Sequence, residues 1–307
     1  MKQARHIPES ESSDPHGATG EKPGEILIRD VEGIAELEQV EALEQEVWGV
    51  SERDVVPISL LIPAIEVGAI LLGAFDGKQL VGFSFGFLGR ESGQTTIHSH
   101  TLGVKPSHRD HNLGYRLKLA QRERALRMGI HQMTWTFDPL QTRNAYLNFA
   151  KLGVVSDSYK IDFYGEHSES FLHQHGTDRL WVRWFLDSQR VRERLAGGRG
   201  RTNPPRPLQA ILEAGDDGKP RTCAGPFQPD STAVIEIPIY RENQENDSSL
   251  GREWRMATRR AFTGALRSGL IVAEFYRRKL GAREVGAYLL SPRAALADLF
   301  SQPAKIG

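Results

Sequence analysis

The chain has 307 residues, of which 39% are hydrophobic and 25% charged, a mixture typical of a soluble globular protein with one large or two unequal domains. Its 39 Lys and Arg residues balance its 39 Asp and Glu residues, so no overall field favours nucleic acid or a membrane as partner. The single cysteine, Cys223, excludes an internal disulfide and a multi-cysteine zinc site, and one unpaired thiol suits a reducing compartment.

The N-terminal region carries no sign of a targeting segment. Residues 1–24 are charged and rich in Ser, Gly and Pro without an apolar run, which predicts a disordered tail and no secretory signal. The longest apolar stretch, Leu60–Phe75, is interrupted by Pro63 and Glu66 and is too short to cross a bilayer. We therefore expect a cytoplasmic protein.

From Glu25 onward, hydrophobic periodicity predicts an alternation of strands and helices. In chain order these are a strand near 26–31, helices at 37–48 and 57–67, strands at 69–75, 80–88 and 94–104, a helix at 112–128, a strand at 132–137, a helix at 143–152, and strands at 154–164 and 178–186. This order predicts a mixed α/β (α+β) domain over residues 25–190.

The rest of the chain has a different composition. Residues 191–229 are polar and rich in Gly, Arg and Pro, which predicts a linker. Residues 230–307 follow as a small α+β lobe, with a strand at 233–239, a helix at 250–268 and strands at 270–276 and 286–290. So few elements bury little surface alone, so we expect this lobe to dock on the first domain or on a partner chain, as in a homodimer.

The segment between strand 94–104 and helix 112–128 predicts an anion site. The first N–H groups of a helix have no partner inside it, and with the positive end of the helix dipole they suit a pyrophosphate. Gly114 leaves room for close approach of the backbone, Asn112 tolerates an unusual φ, and Arg109 can hold the loop or reach a phosphate. An ordinary strand–turn–helix connection is the alternative.

This segment resembles the motif V-x-P-x-x-R-x-x-G-x-G of the GNAT superfamily of N-acyltransferases. Val104, Pro106, Arg109 and Gly114 match the motif, and Asn112 stands where the family usually has glycine. The resemblance extends over about 25–188, because Met133–Asp138 and Asn144–Gly153 are similar to the next strand and helix of the family. It implies a mostly antiparallel sheet flanked by helices, acetyl-CoA or another acyl-CoA as cosubstrate, and no metal.

The resemblance also implies positions for the cosubstrate. The backbone of Leu102 and Val104 would pair with the pantetheine amides, as an added strand does. Asn144 would contact the pantetheine arm, or it has a role at the start of its helix. The phosphate cradle would consist of Arg109, Asp110, His111, Asn112, Leu113, Gly114 and Tyr115.

Candidates for proton transfer surround this segment. His98 and His100 are two residues apart on one strand and so share a face, and His100 is our first choice for a base that deprotonates an amine. Phe149 stands where the family has the tyrosine that protonates the leaving thiolate, so Tyr146 or solvent would supply that proton. Asp138 would attract the ammonium of the acceptor or help a base, or it caps the helix that follows.

We therefore expect acyl transfer to an amine, with a small molecule as acceptor. A protein acceptor and a non-catalytic acyl-CoA sensor are the alternatives. The basic residues of the two long helices are expected to be mostly solvated, with one on the first helix available for the 3′-phosphate of coenzyme A. They are Arg116, Lys118, Arg122, Arg124 and Arg127 on the first, and Arg252, Arg255, Arg259 and Arg260 on the second.

Overall fold

The computed structural model describes residues 25–165, 176–198, 208–223, 231–239, 248–280 and 283–300. The predicted tail, residues 1–24, lies outside these ranges. Within them, no helix is both long and apolar enough to cross a membrane.

The first half of the chain forms the elements that its periodicity predicts. They are β1 Leu27–Asp30, α1 Gly33–Trp48, α2 Ile58–Glu66, β2 Ile70–Asp76, β3 Gln79–Glu91, β4 Gln94–Val104, a 3-10 helix Pro106–His111, α3 Leu113–Arg127, β5 Gln132–Phe137, α4 Thr142–Ala145 with a π-helix Tyr146–Leu152, β6 Val155–Lys160 and β7 Arg179–Phe185. Glycines in the left-handed conformation end two of these helices: Gly49 follows α1 at φ 59° and Gly153 follows the π-helix at φ 74°.

The strands form one sheet in the order β1-β2-β3-β4-β5-β7-β6, which then continues into the second half of the chain. Within this half only β4 and β5 run parallel, and every other neighbouring pair is antiparallel. The α1 and α2 helices cover one face around Leu43 and Phe83, and α3 covers the other around Leu117. The predicted mixed α/β fold with a mostly antiparallel sheet is confirmed.

The second half contains more regular structure than the sequence predicts. Its elements are α5 Gln189–Leu195, β8 Leu208–Ala214, β9 Pro220–Thr222, β10 Thr232–Pro238, α6 Ser248–Arg267, β11 Leu270–Leu280, β12 Arg283–Pro292, a 3-10 helix Arg293–Leu296 and α7 Ala297–Phe300. The range 191–229, predicted as a linker, thus includes most of α5 and the strands β8 and β9. Pairing with β10 stabilises β8, and Leu212 of β8 is completely buried, so tertiary contacts override the Gly- and Pro-rich flanks.

The two halves share one core. Strand β11 pairs with β6 at Val272 and Ser156, which joins the two parts of the sheet. Tyr288 of β12 is completely buried against Phe149 of the π-helix and Phe262 of α6, with ring centroids 5.7 and 5.1 Å away. The lobe therefore packs on the first half of its own chain, one of the two arrangements expected for it.

Candidate functional site

The parallel strands β4 and β5 separate soon after they meet. They pair at Ile97 with Met133 and at His98 with Thr134, and no further pair is formed between them. On the other side of β4, Phe85 of β3 faces Thr101 and Gly86 faces Ser99, so His100 is an extra residue in the ladder. Such a bulge bends its strand and re-aims a side chain. Beyond His98, the edge of β4 that faces β5 is therefore available for another partner.

A cavity of about 840 Å³ opens where the two strands diverge. The side chains around it come from both faces of the sheet. Its walls include Glu44, Trp48, Arg53 and Asp54 from α1 and the loop after it, Ser99, His100, Thr101 and Leu102 from β4, Lys118 from α3, Trp135, Thr136 and Phe137 from β5, and Asn144, Asn148, Tyr164 and Arg179. This volume lies in the range of small-molecule and cofactor sites.

The predicted phosphate cradle adjoins the cavity at the start of α3. Asn112 has φ 53° and ψ 22°, the left-handed conformation anticipated for it, and its side chain does not cap the helix. Instead, its Oδ1 accepts a hydrogen bond of 3.0 Å from Lys151 Nζ. Arg109 and His111 are exposed, and the side chain of Asp110 lies outside the described residues. An exposed helix start with an uncapped first turn is open to an anion.

Gly114 connects this helix start to the cavity. Its backbone is not in the left-handed region, and a Cβ added to it would lie 3.4 Å from Cδ2 of Leu102, which lines the cavity. The neighbours of Gly114 have other tasks: Leu113 is completely buried in the core, and Tyr115 is partly buried with Lys151 Nζ 5.6 Å from its ring centroid. Of the predicted cradle, the exposed loop residues before α3, the uncapped N–H groups of its first turn and Gly114 therefore remain suited to a phosphate.

His98 and His100 share a face of β4, as predicted, since both rings lie against Phe87 with centroids 5.5 and 5.8 Å away. His98 stacks on Trp181 at 4.8 Å, and its Nδ1 lies 3.0 Å from Thr134 Oγ1. Burial first, and then the nearby His100 and Lys118, lower the pKa of His98 to about 4. Desolvation by the residues packed around it also lowers the pKa of His100, although part of its side chain faces the cavity, and this favours the neutral imidazole, which can accept a proton.

Lys118 is almost completely buried at the point where the strands diverge. Its Nζ donates a 2.7 Å hydrogen bond to Ser99 Oγ and lies 3.8 Å from the ring centroid of Trp135. Ser99 in turn donates to Gln121 Oε1 at 2.8 Å. No carboxylate forms an ion pair with Lys118 in the described ranges. Desolvation consequently lowers the pKa of Lys118 to about 7, and the prediction of a solvated position for it is wrong.

Glu44 lies on the wall of the cavity that α1 provides, with 2% of its surface exposed. One carboxylate oxygen, Oε2, accepts a 2.7 Å hydrogen bond from the backbone N–H of Val56. The other, Oε1, is buried and makes no hydrogen bond to any described residue. Desolvation, only partly offset by that hydrogen bond, raises the pKa of Glu44 to about 7.

Two predicted catalytic residues contact the second lobe instead of lining the cavity. Asp138 accepts a 2.9 Å hydrogen bond from the N–H of Leu140 on Oδ1 and forms a 2.7 Å ion pair with Arg255 of α6 on Oδ2. This fits the alternative of a structural role at the turn before α4. The guanidinium of Arg277 lies 5.2 Å from the ring centroid of Tyr146, which is 38% exposed.

Most of the other basic residues of α3 form hydrogen bonds or ion pairs with neighbouring elements and do not form a fully solvated helix face. Arg116 donates to the carbonyl of Ile26 at 2.8 Å, Arg122 donates to the carbonyl of Leu186 at 2.7 Å, and Arg124 pairs with Asp30. On the later helix, Arg255 and Arg259 form ion pairs with the first half of the chain. Their charges are therefore already engaged within the protein.

Sequence reasoning found His100, Leu102 and Asn144 of the cavity, and it missed Glu44 and Lys118. A weak signal existed for Lys118. Gly114, Lys118, Gln121 and Ala125 follow one another at steps of four, three and four, the spacing of one face of a helix, and the last two are buried.

No protein-family model matches the chain, and no curated protein matches it. Solved structures do match, and many of them are GNAT acetyltransferases, the family whose motif the sequence resembles. Arabidopsis thaliana Naa50 in complex with the bisubstrate analogue CoA-Ac-MVNAL is 17% identical, with 52% of this chain and 97% of that chain covered and a TM-score of 0.41.

Two further matches are bacterial. The putative acetyltransferase yncA of Salmonella typhimurium, with its cofactor acetyl-CoA, is 17% identical, with 54% of this chain and 96% of that chain covered and a TM-score of 0.43. A putative acetyltransferase of the GNAT family from Desulfovibrio desulfuricans is 13% identical, with 53% and 99% covered and a TM-score of 0.40. At these values the likeness carries no argument about activity, which has to rest on the residues themselves.

Proposed function

We propose that this protein is an acyl-CoA-dependent N-acyltransferase that moves an acetyl or similar acyl group to an amine by direct attack. The observation that carries the proposal is the cavity between the diverging strands β4 and β5, which adjoins the uncapped start of α3. A pyrophosphate suits that helix start, and an extended pantetheine arm suits the unpaired edge of β4. The motif that Val104, Pro106, Arg109 and Gly114 share with the GNAT superfamily supports the same reading.

The groups around the cavity suit coenzyme A. Thr101 Oγ1 is buried on its wall and has no hydrogen-bond partner among the described residues, so it is available to a polar group of the pantetheine arm. Asn144 is exposed and also lines the cavity. We assign the pantetheine contacts to Leu102, Val104 and Asn144, and the phosphate contacts to the first turn of α3 with Arg109 beside it.

An amine acceptor suits the side of the cavity that α1 provides. The buried Oε1 of Glu44 has no partner there in the part of the chain that the structure describes, and an ammonium would supply one. His100 takes a proton from the bound ammonium, directly or through water, after which the nitrogen lone pair attacks the thioester carbonyl. We assign no catalytic role to Asp138 or Tyr146, because Asp138 forms an ion pair with Arg255 of the second lobe and Tyr146 contacts Arg277 there. A small molecule as acceptor remains our expectation.

Calorimetry with coenzyme A and an assay of thiol release test the proposal. Wild-type protein should bind coenzyme A and release thiol from acetyl-CoA with at least one member of a panel of primary amines. Gly114→Trp should lose coenzyme A binding at least tenfold, because the indole would occupy the space beside Leu102 at the helix start. Gly264→Trp is the matched control, since Gly264 is an exposed helical glycine of α6 with no atom within 4 Å of an added Cβ.

Two results would contradict this assignment. Normal binding by Gly114→Trp would move the phosphate site elsewhere, and no binding by the wild type at millimolar coenzyme A would remove the whole proposal. Tight binding without turnover for any amine would instead favour an acyl-CoA sensor over an enzyme.

A further inference from the structure

Loss of the acyl group leaves a thiolate on coenzyme A, which needs a proton. The residue at the position expected for the proton donor cannot supply one. Phe149 stands where the GNAT motif has a tyrosine, and it is completely buried against Phe137 and Tyr288. Tyr146 contacts Arg277 and does not line the cavity. A donor must come from another element.

Lys118 occupies the apex of the opening between the strands. The last pair between them joins His98 to Thr134, and the two side chains that contact Lys118 Nζ, Ser99 and Trp135, each belong to the next residue along its strand. An extended chain that enters between β4 and β5 therefore meets the ammonium of Lys118 at the inner end of the opening. The lysine also lines the same cavity as His100.

The surroundings of Lys118 are polar enough to hold it but contain no opposite charge beside it. Ser99 accepts its hydrogen bond, and Gln121 accepts from Ser99, which orients the lysine. The other titratable and charged groups of the cavity are Glu44, Arg53, Asp54, His100, Tyr164 and Arg179, and His98 lies close by. Neither Glu44 nor Asp54 forms an ion pair with Lys118 among the described residues. The amine of Lys118 thus exchanges its proton near neutral pH, because desolvation lowers its pKa to about 7.

We propose that Lys118 is the general acid that protonates the coenzyme A thiolate as it leaves, a role that rests on the proposed acyltransferase function. The acceptor nitrogen forms a bond to the thioester carbonyl carbon, and the tetrahedral intermediate then collapses. The C–S bond breaks with its electron pair on sulfur, and the sulfur takes a proton from Lys118 Nζ. The acceptor ammonium loses two protons in all: His100 takes the first before the attack and passes it to solvent, and then takes the second as the intermediate collapses to the amide. Exchange with solvent returns His100 and Lys118 to their starting states.

Steady-state kinetics of Lys118→Met test this role, since Met fills a similar volume without a proton to donate. We expect kcat to fall at least about 100-fold, a usual contribution of general acid catalysis, with little change in the affinity for coenzyme A. The wild-type kcat should decline as pH rises above about 7, because Lys118 then loses its proton. Lys118→Met should lack that decline. Lys78→Met, in the exposed turn between β2 and β3, is the control and should behave as wild type.

Two results would overturn the role of Lys118. They are an unchanged kcat in Lys118→Met, and a pH profile of that variant with the same decline as wild type. Thermal unfolding of the variant separates chemistry from folding, because a folded but slow enzyme supports the proposal and an unfolded one calls for Lys118→Gln instead. Thiol release by the wild type, measured in the same series, shows separately whether the proposed acyltransferase function stands.

Discussion

The junction between the two halves of the chain and the cavity between β4 and β5 both bury charged side chains, but only the junction pairs them. At the junction, Asp178 is completely buried, and Arg259 forms 2.7 Å ion pairs with both Asp178 and Asp162. Arg255 forms one further ion pair, with Asp138, also at 2.7 Å. In the cavity, by contrast, Lys118 and Glu44 have no partner of opposite charge within the part of the chain that the structure describes.

The paired charges at the junction are compatible with a stable fold, whereas the isolated charges in the cavity reduce stability and have shifted pKa values. A buried charge with a partner and further hydrogen bonds is tolerated, whereas an isolated one destabilises the folded state and shifts its pKa toward neutrality. Desolvation alone would raise the pKa of Asp178, but hydrogen bonds from Arg259, the N–H of Asp162 and Tyr159 hold it below its usual value. Desolvation instead brings the pKa of Lys118 and that of Glu44 to about 7, and such shifts are typical of candidate functional sites.

The largest change in the free energy of unfolding is expected when an ion pair at the junction is removed. Asp178→Ala should lower the free energy of unfolding by about 3–5 kcal/mol, because it leaves Arg259 without its buried partner. In the wild type, a lowered pKa stabilises the fold above the unfolded value of 3.8, and this contribution disappears as pH falls through the folded pKa. Urea unfolding of both proteins at pH 7 and pH 3 measures the difference, which should shrink at the lower pH.

The exposed pair His131–Asp187 provides the control for this comparison. Its side chains are 47% and 34% exposed at a distance of 2.9 Å, so Asp187→Ala should cost less than about 1 kcal/mol. If Asp178→Ala and Asp187→Ala lost the same free energy of unfolding, burial of the Asp178–Arg259 pair would contribute no additional stability, contrary to our expectation.

The opposite sign is expected for the isolated lysine. Lys118→Met should raise the free energy of unfolding by about 1–4 kcal/mol at pH 6, because a buried charge without a partner is replaced by an apolar side chain. The advantage should shrink as pH rises from about 7 towards 10.5, since the wild-type lysine is neutral in the folded state over that range. Thermal unfolding at pH 6, 8 and 10, with Lys78→Met as reference, measures it. A less stable variant at pH 6 would mean that Lys118 holds the structure together.

The sequence predicted most of the fold because its local signals agree. Periodicity located the strands and helices of the first half, and glycines such as Gly49 and Gly153 ended helices where expected. The strands β8 and β9 could not be predicted, because β8 lies between Gly- and Pro-rich flanks, β9 has only three residues, and both depend on pairing with β10 or with each other. The bulge at His100 is likewise a consequence of pairing, here with Phe85 and Gly86 of β3, which no local pattern specifies.

Sequence patterns indicated those parts of the candidate site that depend on backbone geometry, and they missed the side chains whose properties depend on burial. Asn112 could be read from the sequence because a left-handed φ favours such a residue, and Gly114 because a glycine at a helix start leaves room beside the backbone. Lys118 and Glu44 belong to residue types that are mostly exposed, so a sequence alone assigns them to solvent. Only the contacts that surround them show that water has been removed, and this removal brings each pKa to about 7.

The smallest effect is expected at Glu44, where glutamine retains an acceptor for the N–H of Val56 but cannot ionise. Because its pKa is raised, the wild-type carboxyl stabilises the fold fully below 4.5, and that contribution is lost as pH rises through about 7. Glu44→Gln should remove this slope and be more stable above pH 7 by about 1 kcal/mol. Glu41→Gln is the matched control, because Glu41 accepts the N–H of Ile58 at 2.7 Å but does not line the cavity. Urea midpoints from pH 4.5 to pH 8 distinguish the two variants. If both give the same curve, Glu44 is only a tether for the loop after α1, and the acceptor's ammonium must be bound by another group.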